Sequence, residues 1–266
     1  MSALWARAQG RCQQMATSLF RRPFHLSGGA PVISFTFDDF PRSAWLEGGA
    51  ILKHFGVTGT YYASLGLMGT TAPAGVVFEP GDLQALLDQR HELGCHTFHH
   101  CHSWNTTTTA FEHSIDANEA ALSRLIPGAS FRTFSYPISP PRPRTKRRMA
   151  PRFVCCRGGG QTLNIGDVDL NYLRAFFLEK SRNNPEAVKN LIDENRRVGG
   201  WLILATHDVC AQPSPFGCTP DFFEEIVQYS IGSGARILPV IEAWEALHGV
   251  HAHSNRTRLP GPEAAD

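Results

Sequence analysis

The sequence predicts an α/β barrel in a single domain, on three observations. From Pro31 onward short apolar runs alternate with amphipathic ones, the pattern of parallel strands joined by helices. Three of those apolar runs end in residues able to do chemistry: Asp38-Asp39, Ser135-Tyr136-Pro137 and Thr206-His207-Asp208. In a parallel barrel all strand C-termini open on one rim, where catalytic residues collect. At 266 residues with 42% hydrophobic content, the chain is long enough to bury one large core.

Residues 1–30 stand apart. Met1 to Arg22 carries Arg7, Arg11, Arg21 and Arg22 with no acidic residue, and Leu4, Ala8, Met15 and Leu19 can share a helical face. A solvated basic extension is expected, with an amphipathic helix lying on a membrane surface as the alternative. No apolar run of signal-peptide or transmembrane length occurs, so a cytoplasmic location, at most against a membrane surface, is expected. Seven cysteines, two of them vicinal at Cys155-Cys156, do not resemble a disulfide framework and favour a reducing compartment. A net charge of +1 demands no nucleic acid as partner.

The domain is expected over residues 31–248, with a tail over 249–266. Val32–Phe37 is a buried strand, Ala44–Phe55 a helix and Gly59–Ser64 a second strand. After Pro80-Gly81, Asp82, Leu83, Leu86 and Leu87 follow a helical pattern that ends near Gly94. A further helix fits Phe111–Ile126. Strands fit Phe131–Tyr136, Phe153–Cys156, Leu173–Leu178, Trp201–Ala205 and Arg236–Val240, with helices at Pro185–Val198 and Pro220–Ile231 between the last three. The basic run Arg142–Arg148 is taken as a solvated loop or helix.

The densest chemistry lies in Glu92–His102. Four of the twelve histidines fall in seven residues, and His96 and His100 are four apart, a spacing that puts two imidazoles on one face of a helical turn. His99 is a rival, because a ligand three residues on is also reachable on such a turn. Two adjacent carboxylates at a strand end, Asp38-Asp39, repel unless a cation lies beside them. One carboxylate and two neutral imidazoles suit zinc, with cobalt, nickel and manganese as neighbours. Such a metal lowers the pKa of its water and polarises a carbonyl oxygen, which points to amide or ester hydrolysis.

Thr36-Phe37-Asp38-Asp39, then Glu92-x-Gly-x-His96-Thr-x-x-His100, then Ser135-Tyr-Pro137, then Thr206-His207-Asp208 together resemble the polysaccharide deacetylases of the NodB-homology type, carbohydrate esterase family 4. The likeness runs from about Pro31 to Leu247. It implies a distorted (β/α)7-type barrel that removes N-acetyl, or O-acetyl, groups from an acetylated carbohydrate such as a chitooligosaccharide. By position it implies Asp38 as general base, Asp39, His96 and His100 as metal ligands, His207 as general acid and the backbone N–H of Ile138 as oxyanion donor. An acidic residue that holds the acid histidine maps to Asp169, with Asp167 as its rival.

Three departures stand out. Phe40 occupies a position where glycine is common, Ile138-Ser139 replaces a common Tyr-Gly, and Ser135 stands where many members carry an arginine that orients the base. Arg132 and Arg157, on neighbouring strands, are the candidates to supply that charge. The missing arginine also leaves open a catalytically silent barrel that binds metal, sugar or a membrane. Cys210 and Cys218 are read as free thiols in a loop beyond His207. Trp45, Tyr61, Tyr62, Trp104, Tyr136 and Trp201 are the aromatic candidates for a sugar groove, most of them expected in the core.

Overall fold

The computed structural model describes residues 3–138 and 140–256. Ser139, the tail from Thr257 onward and the side chains of Leu4, Arg7 and Ala8 lie outside the described residues. Helix α1 (Ala3–Ala16) leads to strand β1 (Pro23–Leu26), then β2 (Val32–Phe37), a π-helical segment Ala44–Gly49 and α2 (Ala50–His54). Next come β3 (Thr60–Ala63), a hairpin of β4 (Thr71–Ala72) and β5 (Gly75–Val76), α3 (Pro80–Asp88), β6 (Glu92–Cys95) and α4 (Thr108–Leu125). The second half runs β7 (Thr133–Ser135), α5 (Pro143–Met149), β8 (Cys155–Arg157), β9 (Gly166–Asp169), β10 (Phe176–Phe177), α6 (Pro185–Val198), β11 (Trp201–Thr206), α7 (Pro220–Gly232), β12 (Arg236–Ile237) and α8 (Val240–Arg256).

The main sheet has the order β10-β11-β2-β3-β6-β7-β8, with β12 also on β2, and its pairings are parallel. It curls into a half-barrel. β8 and β10 do not pair; the gap is spanned by main-chain bonds from Leu170–Leu173 to Cys156 and Gly158. The central strands β2 and β11 are buried along their whole length, as continuous apolar runs in a sheet covered on both faces must be. Alternate residues serve two cores. Ile33, Phe35 and Phe37 join Phe223 and Ile226 of α7, while Val32 joins Trp201, Ile203 and Ala205 with Val240 and Ala243 of α8.

α8, which sequence periodicity did not resolve, plugs the end of the barrel remote from the rim. The N–H of Val240 donates to Thr60 Oγ1 (2.9 Å) and that of Ile241 to Glu92 Oε2 (2.9 Å), so a buried carboxyl caps its first turn. Burial pushes the Glu92 carboxyl up to about 7, against hydrogen bonds from Thr133, Ile241 and Thr60 that favour the ionised form.

Residues 17–26, expected as a solvated extension, are stitched to the barrel. β1 pairs antiparallel with β9, and the Arg22 guanidinium donates to the carbonyls of Ala150, Phe153, Val154 and Leu170. The basic run is not solvated throughout either. It forms α5, where Lys146 is fully buried and donates to Asp169 and to the Thr17 carbonyl. No described helix is long and apolar enough to cross a membrane. All seven cysteines are free.

Candidate metal centre and acid-base site

The histidine pair does not lie on a helix. α3 stops at Asp88, and Glu92–Cys95 is a strand whose C-terminal end delivers His96 into a loop. Thr97 (φ 60°) and His100 (φ 51°) adopt left-handed conformations there, and Thr97 Oγ1 accepts a hydrogen bond from the Cys101 N–H (2.9 Å). The Ser114 hydroxyl of α4 accepts from the N–H groups of Phe98 and His99 (2.9 and 3.2 Å). The turn therefore folds back to bring the two imidazoles together, with ring centroids 5.0 Å apart. His99 ends on the exposed side, its ring against Phe98.

Asp39 (φ 60°) leaves β2 in the same unusual conformation and places Oδ1 3.3 Å from His96 Nε2 and 3.0 Å from His100 Nε2. These three ligand atoms lie within 4.8 Å of one another. The His96 Nδ1 lies 2.8 Å from the Ser135 carbonyl; a carbonyl only accepts, so Nδ1 carries the proton and Nε2 keeps its lone pair for the cluster, the usual support of a ligating imidazole. Asp39 Oδ1 is buried and, apart from these two imidazole nitrogens, has no hydrogen-bond partner among the described residues. Burial alone pushes the Asp39 carboxyl up, but His100 and His96 outweigh it and hold it well below the usual carboxylate range. Burial likewise pulls His100 down, and Asp39 outweighs that, leaving it raised. A buried carboxylate oxygen without a donor, facing two imidazole nitrogens, is a donor set that fits one divalent metal.

Asp38 is buried beside this cluster. Arg157 Nη2 from the end of β8 donates to its Oδ1, and the Ser135 hydroxyl lies 3.2 Å from the same oxygen. Arg157 therefore supplies the charge missing at Ser135. Its side chain is 1% exposed and lies over the rings of Tyr62 (4.9 Å) and Phe177 (5.6 Å), which hold the guanidinium in place. Arg132 points away and pairs with Glu245.

His207 follows β11, the strand paired with β2, and lines the same cleft. Its Nδ1 lies 3.2 Å from the Phe216 carbonyl and its ring stacks on Phe177, so Nδ1 is the protonated nitrogen and Nε2 is left for the cleft. Asp169 does not hold His207, contrary to the sequence expectation. It sits at the end of β9, where Lys146 and the N–H groups of Arg22 and Asn171 engage its oxygens; Asp167 pairs with His25. The acidic residue that matters to His207 acts through the loop. Asp208 accepts from the Ser214 N–H (2.7 Å) and hydroxyl, fixing the turn that offers the Phe216 carbonyl.

Asp38, Asp39, His96, His100, Arg157 and His207 line one cleft of about 500 Å³, together with Tyr136, Ile138 and Glu179. Ile138 is 65% exposed with φ 70°, a costly conformation for a β-branched residue and one that clusters at functional sites. Phe40, at φ 49°, explains why glycine is common at its position. The cost is offset here by burying its ring against Tyr61 and Phe78. Glu179 carried no sequence signal. Burial pushes its carboxyl up to about 7, and its Oε2 has no partner among the described residues. Tyr61, Tyr62 and Trp201 are core residues.

The fold and this site define a class: an α/β half-barrel hydrolase with a candidate metal centre on the rim of its parallel sheet. Residues 26–150, just under half of the chain, match the family model for polysaccharide deacetylases. The matched span holds Asp38, Asp39, His96, His100 and Ser135 and stops short of Arg157 and His207. Solved structures share the fold. The peptidoglycan deacetylase PdaC of Bacillus subtilis aligns at 14% identity over 86% of this chain and 97% of its own, with a TM-score of 0.58. A family 4 acetyl xylan esterase from Clostridium thermocellum in complex with cobalt aligns at 19% identity over 82% and 92%, with a TM-score of 0.56. A family 4 pseudoenzyme from Bacillus anthracis aligns at 11% identity over 81% and 66%, with a TM-score of 0.55. A comparison with curated proteins finds no match.

Proposed function

We propose that this chain is a metal-dependent deacetylase acting on an acetylated oligo- or polysaccharide such as a chitooligosaccharide. The observation that carries the reading is the pairing of Asp38 with Arg157 beside the Asp39, His96 and His100 cluster. A divalent metal held by those three, zinc first and cobalt, nickel or manganese as alternatives, supplies an acidified water and a polarised acetyl carbonyl.

The rest of the work falls to the chain. Asp38, fixed by Arg157 and Ser135, accepts the proton of the attacking water. His207, anchored through Nδ1 on the Phe216 carbonyl and acting as the imidazolium, gives its Nε2 proton to the leaving nitrogen of an N-acetyl group, or to the oxygen of an O-acetyl group, and is left as the neutral Nδ1–H imidazole. The main-chain N–H of Ile138, exposed on the rim, is the proposed donor to the developing oxyanion. Free cysteines fit a reducing compartment, so a cytoplasmic substrate pool, at or near a membrane surface, is the proposed setting.

The alternative, a catalytically silent metal- or sugar-binding barrel, drew on the absent arginine at Ser135; the pairing of Arg157 with Asp38 supports the enzyme reading over it. The deciding experiment is acetate release from N-acetylglucosamine oligomers and from acetylated polysaccharide, measured before chelation, after it, and after zinc or cobalt is restored. Metal-dependent release is expected. No release from protein holding one equivalent of metal would refute the deacetylase reading.

A further inference from the structure

The end of α1 is turned inside out. Polar Gln13 is 9% exposed, whereas Met15 is 74% exposed and Leu19 and Phe20 also face solvent. Helical turns run on past Ala16, since the N–H groups of Thr17, Ser18 and Leu19 each donate to a carbonyl three residues back. Arg11, Met15 and Leu19, spaced by four, therefore share one outward stripe, and Gln13 lies on the opposite side of the helix. The stripe is tied to the barrel. Buried Lys146 donates to the Thr17 carbonyl, Asn171 to the Phe20 carbonyl (3.0 Å) and the Arg21 guanidinium to the Asp167 carbonyl (2.9 Å). Phe20, at φ 52°, sets its ring under the Arg147 guanidinium at 5.5 Å. Helix α5 thus adds Arg147 to this face, with exposed Arg144 three residues before it on the same side.

Charge selects what covers these apolar side chains. No acidic residue precedes Asp38, and none occurs between Glu119 and Asp167. The acidic side chains that meet these segments are engaged: Asp167 by His25, Asp169 by Lys146 and Glu112 by Arg148. Arg11 and Arg144 make no ion pair among the described residues. A second copy of the chain bound through the same face would set these cations against one another. An anionic lipid surface accepts both features, because exposed apolar side chains enter the acyl boundary while guanidiniums reach the headgroups. With 14 residues, α1 is shorter than the roughly 20 needed to span a bilayer, so it lies in the surface plane.

The geometry points to the face made by the end of α1, the turn to Phe20 and α5 as a docking surface for an anionic bilayer. Gln14, next to Met15, lines the metal-centre cleft, as does exposed Ile138. Docking therefore sets the cleft beside the lipid headgroups. A further step rests on the deacetylase reading and deepens it: the substrate is an acetylated sugar carried on a lipid.

The test measures co-sedimentation of the full chain with vesicles of phosphatidylcholine alone and of phosphatidylcholine with phosphatidylglycerol. Tighter binding to the anionic vesicles, weakened by salt, is expected. The double variant Met15→Asp with Leu19→Asp should weaken it at least about tenfold, and Arg11→Ala and Arg144→Ala about fivefold each. All four side chains are exposed, and thermal unfolding of each variant monitors folding. Equal binding to both vesicles, or variants that bind as the wild type does, overturns the docking surface. A wild-type dimer that dissociates in the double variant also overturns it, by giving the face to a second copy. With the metal-loaded chain, acetate release from an N-acetylglucosaminyl lipid in the anionic vesicles should fall about tenfold in the double variant, in step with binding, while release from soluble N-acetylglucosamine oligomers is unchanged. An unchanged rate on the lipid overturns the lipid-borne substrate. No release from either substrate by the wild-type holoprotein overturns the deacetylase reading, and vesicle binding then decides the docking surface by itself.

Discussion

Arg157 offers the sharpest test of the site because the charge it supplies comes from a different strand than expected. In Arg157→Ala the Asp38 carboxylate, whose side chain is 6% exposed, loses its cationic partner and keeps only the Ser135 hydroxyl at 3.2 Å. Removing one member of a buried ion pair costs about 3–5 kcal/mol. At about 2–4 °C per kcal/mol for a chain of this size, Tm should fall by roughly 10 °C. If about 2–3 kcal/mol of that loss appears in the transition state, acetate release slows roughly 30- to 150-fold. Metal content should be unchanged, since Arg157 touches none of Asp39, His96 and His100. The double variant Arg157→Ala with Ser135→Arg returns a guanidinium from β7, where Ser135 already faces Asp38, and should recover about tenfold in rate. Thermal unfolding, metal analysis and acetate release on the three proteins decide the matter. Wild-type Tm and turnover in Arg157→Ala would refute the reasoning outright.

His96→Ala and His100→Ala should each lose the metal and the activity together, whereas His99→Ala, altering an exposed ring, should keep both; metal analysis that finds the reverse order would reassign the ligands. His207→Ala should hold metal at the wild-type stoichiometry and lose roughly 10²–10⁴ in turnover, as expected of a general acid that does not bind the ion; unchanged turnover would remove it from the mechanism. His91 is buried and accepts from the Gly59 N–H (3.0 Å), and burial lowers it from 6.5 to about 4. Its contribution is complete above pH 6.5 and is lost as pH falls toward 4, about 3 kcal/mol in all, so His91→Gln should flatten the acid side of a stability curve measured by denaturant unfolding. Glu92 runs the other way. Raised from 4.5 to about 7, it contributes fully below pH 4.5 and loses that contribution as pH rises through 7, so Glu92→Gln should abolish a fall in stability across that window.

What the sequence made legible follows from how local each signal is. α6 and α7 were readable almost to the residue because their ends are written in neighbouring positions. Asn184 and Thr219 cap them, proline opens each, and Gly199 closes α6 in a left-handed conformation. β2 and β11 were readable as apolar runs of the right length. The segment from Leu83 to His100 misled because a nine-residue helix and a four-residue strand are separated by only three residues, and the apolar spacing runs across the join. The β1–β9 pairing and the Leu170–Leu173 closure join positions far apart in the chain, which periodicity cannot see. Arg157 was one of two candidates because spacing does not say which neighbouring strand points its side chain inward. The Phe216 carbonyl that holds His207 leaves no mark at all, since any residue supplies one.

The site also shows which of its requirements bind a residue type and which bind only a position in space. The three candidate ligand positions, Asp39, His96 and His100, depend on side-chain identity, because a carboxylate and imidazoles supply the donor atoms such a centre needs. The charge beside Asp38, the proposed base, depends on where a guanidinium arrives. β7 and β8 are adjacent and parallel, and Ser135 is in register with Arg157, so an arginine from either strand can reach the same carboxylate. Backbone conformation follows the same logic. Asp39, Phe40, Thr97, His100 and Ile138 all hold positive φ without being glycine, and each lies in the loops that carry the ligands or the rim. Phe40 tolerates its conformation through buried aromatic contacts that a glycine would lack. Departures at Ser135 and Phe40 therefore relocate the charge on Asp38 and the source of stabilisation, while Asp39, His96 and His100 still converge in the candidate metal centre.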